Sequence, residues 1–515
     1  MASGFVIRRN QYYDSVFLMG VNGRLSEARG VQQTAVLMAS TANKHLLSEI
    51  GIYDAQIDTA QPNDLIVAVV AETPDIVREV LGRLDEWLEA AQESAPASGL
   101  HTLEDGLGQR SGANLCVISL PGEYAAREAR KALEAGLNVF LFSSNVSVDD
   151  ELSLKQFAAQ QGLIVMGPDC GTSLIGGVGI GFANAVRRGS IGAVGASGTG
   201  LQEFTCQVHN AGFGISHAIG TGSHDLSDRI GGLTTFAALD ALEADPQTEV
   251  VALVSKLPAA RTLKKVSERL MAYRKPVIGC FLGTRLKPGG TSTIYQTART
   301  IDEAVQLALM VSAGHAPLPA RDSYASDAAS WLLRERGAWA PDQQYLRGLF
   351  AGGTFCYQTQ QILRDAKIAV NSNAPLDQRH KLADPEKSRE HTVVDMGDDY
   401  YTLGRPHPMI DGTLRRKRIL SEGRDPRLAT LLLDFILGHN VSKDPVGEVL
   451  DAIVEARQTA QKRGGHLTVV ASICGTEGDP QDLNLQARML REAGAHVFQS
   501  NARAAAFCSE LLKRR

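Results

Sequence analysis

Several protein classes are excluded by what the chain is short of. Its seven cysteines, Cys116, Cys170, Cys206, Cys280, Cys356, Cys474 and Cys508, are scattered without a C-x-x-C pair. That rules out a zinc ribbon and a secreted disulfide framework and leaves buried thiols in a reducing compartment, so no metal is expected. No run reaches the ~18 apolar residues of a membrane span, and the opening MASGFVIRRNQYYDS has no apolar core of signal-peptide length. A cytoplasmic protein with no membrane partner is expected. Aromatics make up only 6% and no Lys/Arg stripe alternates with them, while the net charge is -5; nucleic acid is excluded as a partner. What is plentiful is glycine, 50 residues, alongside Ala, Val, Leu and Ile, which suits buried strands and tight turns under helices in an α/β protein. At 515 residues the chain is too long for one core and should divide into roughly three or four domains.

Residues 1–100 read as a small α/β module. In it DSVFLM, QTAVLMAS and DLIVAVVAE are expected as strands, with helices through LSEARG and PDIVREVLGRLDEWLEAAQE. The polar, Gly-rich stretch SAPASGLHTLEDGLGQRSGAN closes it as a link. From LCVISL the rhythm becomes strand, turn, helix, which predicts a parallel-sheet Rossmann-like domain over 112–186. The rest is duplicated. AVGASGTGLQEF and GLFAGGTFCYQTQQIL each run from an apolar strand through Ala-[Ser/Gly]-Gly-Thr into a helix, and VIGCFLGTR matches VVASICGTE. Two tandem flavodoxin-like units are therefore expected, 187–315 and 345–515, with a joining segment near 315–345. A charged insertion near 366–392 is expected to be a surface loop.

In each unit the strand delivers Gly-Thr to a helix start, where unpaired backbone N–H groups and the helix dipole attract an anion. Ser197, Gly198 and Thr199 form one candidate phosphate cradle and Gly352, Gly353 and Thr354 the other. Neither is a Walker loop, because no Lys follows the glycines. Further candidates sit at strand C-termini, where ligands of open α/β sheets bind. Asp169 lies in GPDCG, beside Cys170, which is read as a packing residue. Lys256 follows VVALVS and could meet a phosphate or carboxylate. In GRPHPMIDGTLRRKR, His407, Asp411 and Arg415 gather at a helix start, where Asp411 could equally be an N-cap and where His, Asp and Arg would suit an acyl or carboxylate substrate.

These motifs resemble a known family. The stretch from CVISLPGEY to GPDC, followed by GSIGAVGASGTGLQEF, is similar to the α subunit of succinyl-CoA synthetase, and GLFAGGTFC with CGTEGDPQ to the carboxyl-terminal domain of its β subunit. With the N-terminal module and HPMIDGTLR, the chain is identified as a member of the FdrA family, often labelled acyl-CoA synthetase. In the synthetase two such helices aim their N-termini at a phosphorylated histidine, and Glu203 falls where the α subunit keeps a glutamate that contacts it. Here GTRLKPGGTSTIYQTART (283–300), which should hold that histidine, contains none. No ATP-grasp domain of roughly 200 residues precedes the second half, and the glycine-rich opening of the CoA-binding domain is missing. No cofactor is therefore expected to be required, neither nucleotide nor CoA. The resemblance implies a component of an oxamate carbamoyltransferase in allantoin breakdown, acting on carbamoyl phosphate and a small carboxylate or amide acceptor. Homo-oligomers and hetero-oligomers with other pathway subunits are expected. Glu203, Lys256 and His407 would be its catalytic residues, and Lys256 or Arg415 would hold the acceptor carboxylate. The alternative is a nucleotide-dependent acyl-CoA ligase of the synthetase type.

Overall fold

The computed structural model describes residues 2–13, 15–26, 28–40, 43–44, 47, 52–92, 100, 102–284, 294–314, 325–402 and 405–513. They fall into two units, one built on residues 1–113 and the other on 114–402 with 406–515.

The first unit runs β1 (Ala2–Arg8), α1 (Ser15–Ser26), β2 (Val31–Met38), α2 (Ala55–Thr59), β3 (Leu65–Ala71), α3 (Pro74–Gly82), α4 (Leu84–Gln92) and α5 (Leu103–Gln109). Its three strands pair antiparallel in the order β1-β3-β2. DSVFLM is not the expected strand but the start of α1. Leu18, Val21 and Leu25, all buried, recur at helical spacing and put one stripe on the sheet. The polar link also proves partly helical: Thr102 and Asp105 form a reciprocal capping box that starts α5, enough to nucleate a turn in an otherwise weak sequence.

The second unit opens with β4 (Leu115–Ile118), α6 (Gly122–Glu134), β5 (Asn138–Leu141), α7 (Val148–Gln161) and β6 (Val165–Met166), whose strands form a parallel β4-β5-β6 sheet. A hairpin of β7 (Thr172–Ile175) and β8 (Val178–Gly181) follows. Next come β9 (Arg188–Gly195), α8 (Gly198–Asn210), β10 (Ile215–Gly220), α9 (Leu233–Ala244), β11 (Val250–Lys256), α10 (Ala260–Met271), β12 (Val277–Leu282), β13 (Tyr295–Ala298) and α11 (Ile301–Ala313). The expected joining segment contains a helix, α12 (Ala325–Ala338). The second copy runs β14 (Tyr345–Phe350), α13 (Gly353–Asp365), β15 (Thr392–Asp395), α14 (Asp399–Thr402), α15 (Thr413–Glu422), β16 (Leu428–Ile436), α16 (Gly447–Lys462), β17 (Thr468–Cys474), α17 (Leu483–Glu492), β18 (His496–Phe498) and α18 (Asn501–Leu512).

The duplication is visible in the topology. The first copy pairs its parallel strands as β10-β9-β11-β12-β13, with the β7-β8 hairpin adding an antiparallel edge beyond β10. The second pairs as β15-β14-β16-β17-β18. Numbered within each copy, both orders are 2-1-3-4-5, the flavodoxin-like order. Helices cover both faces, so β16 is buried along its whole length, as central parallel strands are.

The insertion at 366–392 is not the free surface loop expected of its charge. Ser372 is wholly buried and Leu382 nearly so, and short bridges tie Asn371 to Thr392 and Ser372 to Lys381. Two buried arginines hold it: Arg347 bonds Glu422 at 2.9 Å and the Glu390 carbonyl, and Arg418 bonds the Pro385 carbonyl at 3.1 Å and Ser388 at 2.9 Å. A guanidinium's five fixed donors can gather several carbonyls at once. The charge of the segment is therefore partly internal.

Candidate active site at two helix starts

The two Gly-Thr turns meet. Ser197, the N-cap of α8, accepts from the Gly200 N–H at 3.4 Å, and its hydroxyl touches that of Thr354 in the first turn of α13. Among the described residues, the amides of Gly198, Thr199, Gly353 and Thr354 donate to no protein acceptor, as the first turn of a helix requires unless something caps it. Two helix starts thus converge on one place with two hydroxyls and four unspent donors.

The two starts are not equivalent. Around α8 the neighbours are neutral: a β-carbon on Gly198 would stand 2.9 Å from the Thr172 hydroxyl. Around α13 they are acidic. Asp434, wholly buried in β16, accepts from the Ala351 and Gly352 amides, both at 2.8 Å. The Gly352 N–H is therefore spent inside the protein and cannot serve a ligand. Asp395, at the end of β15, lies so close that a β-carbon on Gly353 would fall on its carboxylate. Burial pushes the Asp395 carboxyl up to about 6, against the pull of Lys256. Neither aspartate stood out in the sequence. The signal for Asp434 was there, a lone acid inside the apolar run LATLLLDFI.

Lys256 is exposed at the end of β11, with its Nζ 5.6 Å from the centre of the Tyr357 ring, and its charge acts on both Asp395 and Asp169. His407 comes to the same side: a β-carbon on Gly397 would stand 2.7 Å from its Nε2 and 3.3 Å from Asp395 Oδ1. Its Nδ1 accepts the Met409 amide at 3.2 Å, which leaves the ring proton on Nε2. Burial lowers His407 to about 4, so at neutral pH it is an uncharged donor. Asp169 is open to solvent but walled in by protein; that desolvation raises its carboxyl, while Ser223, His224 and Lys256 pull it down.

Three expected site residues do other work. Arg415 is buried and its guanidinium is turned onto Asp434, bonding Oδ1 at 2.9 Å and the backbone carbonyl. Burial works against both charges, raising Asp434 and lowering Arg415, and each is held by the other. It cannot reach an external carboxylate. Asp411, one residue before the N-cap Gly412, accepts the Thr413 amide at 2.7 Å and so satisfies the first N–H of α15 without being its N-cap. Glu203 sits six residues beyond the cap, about 9 Å along α8, and accepts from the Asn501 amide at 2.9 Å and Gln207 at 3.2 Å. It serves the N-terminus of α18.

Glu203 has a counterpart. Gln358, also six residues after its cap, accepts the Ile301 amide at 2.9 Å and so serves the N-terminus of α11. Burial first, then Asp302, raises Glu203 to about 8. An unfolded glutamate ionises near 4.5, so between 4.5 and 8 folding takes up a proton and stability falls as pH rises through that window. Glu203→Gln, which copies Gln358, is expected to raise the unfolding free energy measured in urea at pH 8 by on the order of a few kcal/mol, and to change it little near pH 5. A pH-independent effect would overturn this assignment.

A cavity of about 710 Å³ lined by Asn184, Arg187, His209 and His439 lies at the far end of α8, and no residue of the two helix starts lines it.

Comparisons with known proteins place these elements. The CoA-ligase family model matches residues 349–511, the CoA-binding domain model 186–282, and the AllF heavy metal-associated domain model 1–102. The Escherichia coli (strain K12) protein YahF is 40% identical over 514 residues, 99% of each chain. The α subunit of the ADP-forming succinate–CoA ligase of Methanothermobacter thermautotrophicus is 28% identical over 179 residues, which span 34% of this chain but only 59% of that subunit. Among solved structures, ATP citrate lyase from Methanothrix soehngenii, with citrate and coenzyme A, aligns over 80% of this chain and 83% of its own at 14% identity and a TM-score of 0.35. Residues 1–102 contain no cysteine, so the thiolates that a soft heavy-metal ion takes are not in that module.

Proposed function

The chain belongs to the FdrA family and carries the domains of the succinyl-CoA synthetase-like CoA ligases; from that premise we propose that it transfers an acyl group by way of an acyl phosphate held where α8 and α13 meet. The observation that carries this is the contact of the Ser197 and Thr354 hydroxyls where two helix starts meet, with four first-turn amides that, among the described residues, have no protein acceptor. Such a set complements a phosphoryl dianion, and amides fixed before reaction also stabilise charge developing on the carbonyl. In the ligase reading the acceptor is the thiol of CoA. CoA enters as a substrate, and the segments just after β5 and β10, where Ser143 Oγ and Thr221 Oγ1 are buried with no partner among the described residues, are where its polar groups would be met.

A second reading, carbamoyl transfer from carbamoyl phosphate to oxamate, is favoured by one observation: residues 283–300 contain no histidine to carry phosphate from a nucleotide. Titration of the purified chain with ATP, CoA, carbamoyl phosphate and inorganic phosphate, followed by product analysis, separates the two. Thioester formed at the expense of nucleotide supports the ligase. Carbamoyl phosphate binding with oxalurate as product supports the transferase. Failure of every phosphorylated ligand to bind overturns the site itself. Gly353→Ala, which drives a methyl into Asp395, is expected to weaken phosphate binding about tenfold, the loss of roughly one charge-assisted hydrogen bond.

A further inference from the structure

We propose that Asp395 is the catalytic base of the transfer step, taking the proton of the acceptor nucleophile. This rests on the acyl-phosphate reading above and adds the group that reading lacks.

Asp395 is built for one free oxygen. Its backbone is clamped on both sides by Asn373, which accepts its N–H and donates to its carbonyl, each at 2.9 Å. Oδ1 is fixed by the Gly397 amide at 3.0 Å. Oδ2 accepts no hydrogen bond from the described residues and faces Gly353, the first residue of α13. The residue is only 6% exposed, so this oxygen opens onto the start of α13 and little else. A β-carbon at residue 353 would close that opening, which gives the glycine a reason beyond the turn.

The charged and titratable groups around it come from five directions. Lys256 faces it from β11, Asp434 from β16, Asp398 from its own loop, Cys356 from α13 and His407 from the loop before α15. Lys256 favours the carboxylate, whereas Asp398, Asp434 and burial oppose it. His407 is uncharged and adds no counter-ion. A base in this balance is ionised at neutral pH and still holds a proton well, the compromise that general-base catalysis needs.

The step balances as follows. The acceptor X–H, a thiol or an amide nitrogen, attacks the carbonyl carbon of the acyl phosphate. The X–C bond forms and the C–O bond to phosphate breaks, with its electron pair leaving on the phosphate. The X–H proton passes to Asp395 Oδ2 and from there to the departing phosphate, which restores the carboxylate.

The test is Asp395→Asn in the full chain, read by turnover, by the pH profile from 5 to 8 and by titration with inorganic phosphate. Turnover is expected to fall at least 100-fold. Phosphate should bind as tightly or more so, since a neighbouring negative charge is gone, and that binding also reports that the variant is folded. The wild-type profile should lose activity below about pH 6, and the residual activity of the variant should not. Lys256→Met should move the wild-type limb to higher pH. A variant with turnover within tenfold and the limb intact would overturn the proposal, as would a limb that Lys256→Met leaves in place. If the wild-type chain binds neither phosphate nor acyl phosphate, it is the acyl-phosphate reading that fails, and with a different signature.

Discussion

Asp434→Ala is expected to destabilise the protein by about 4 kcal/mol or more, a large share of the ~5–15 kcal/mol that holds a typical domain folded. The alanine removes the acceptor of two buried amides, Ala351 and Gly352, and the counter-charge of a buried arginine. An orphaned buried donor costs about 1–3 kcal/mol and a broken buried ion pair about 3–5 kcal/mol, and the two overlap rather than add. Asp434→Asn keeps the shape but offers one acceptor oxygen to three donors and turns an NH2 toward them, so its stability should fall between those of the wild type and the alanine variant. Urea denaturation measures both. Because the strand-to-helix turn of α13 hangs on this carboxylate, the surviving folded fraction of either variant should also bind phosphate less tightly. A loss below about 1 kcal/mol for the alanine variant would mean that the turn holds without its internal anion.

Lys155→Ala should cost a comparable amount, about 3–5 kcal/mol, for a different reason. The Lys155 ammonium is buried and bonds Glu151 at 2.7 Å, Asp225 at 2.8 Å and the Thr221 carbonyl at 3.0 Å. Both carboxylates are fully buried. Removing the cation leaves two like charges side by side in a medium that screens them poorly. The usual remedy of replacing a whole buried ion cluster with apolar groups is closed here, because Asp225 also accepts the Thr234 and Thr235 amides at 3.1 and 2.9 Å at the start of α9. Adding Glu151→Gln to Lys155→Ala should recover part of the loss. Equal midpoints for wild type and Lys155→Ala in urea would show that solvent reaches the cluster.

Much of this architecture could be read from the chain because it repeats. Strand, small residues and helix recur at Ser197-Gly198-Thr199 and Gly352-Gly353-Thr354, and the matched Gly-Thr turns at 283 and 475 fix two copies of one unit. The direction in which side chains are spent was not legible. Arg415 and Asp411 looked like ligand groups because Arg and Asp near a helix start suit a carboxylate, yet each answers a partner inside the protein. Asp395 was missed for the opposite reason: it closes a strand that follows a charged insertion, and nothing local separates it from the acids around it. Its role comes from Gly353 and Lys256, which are distant in sequence. DSVFLM failed on period, since four apolar residues in a row fit strand and helix alike, and only Val21 and Leu25 decide for the helix.

The crossed roles of Glu203 and Gln358 bear on how the chain can fold and evolve. The first helix of each copy completes the last helix of the other, so neither copy holds all the partners its own backbone demands. Separation would leave, in each half, one buried acceptor without its donor and one first-turn amide without its acceptor, although Thr300 and Ser500 would still cap their own helices. The tandem repeat is one compact unit rather than two modules on a string, and a substitution that removes the Glu203 acceptor is expected to weaken the start of the carboxyl-terminal helix. Such mutual dependence favours keeping both halves on one polypeptide, where each is always within reach of the other.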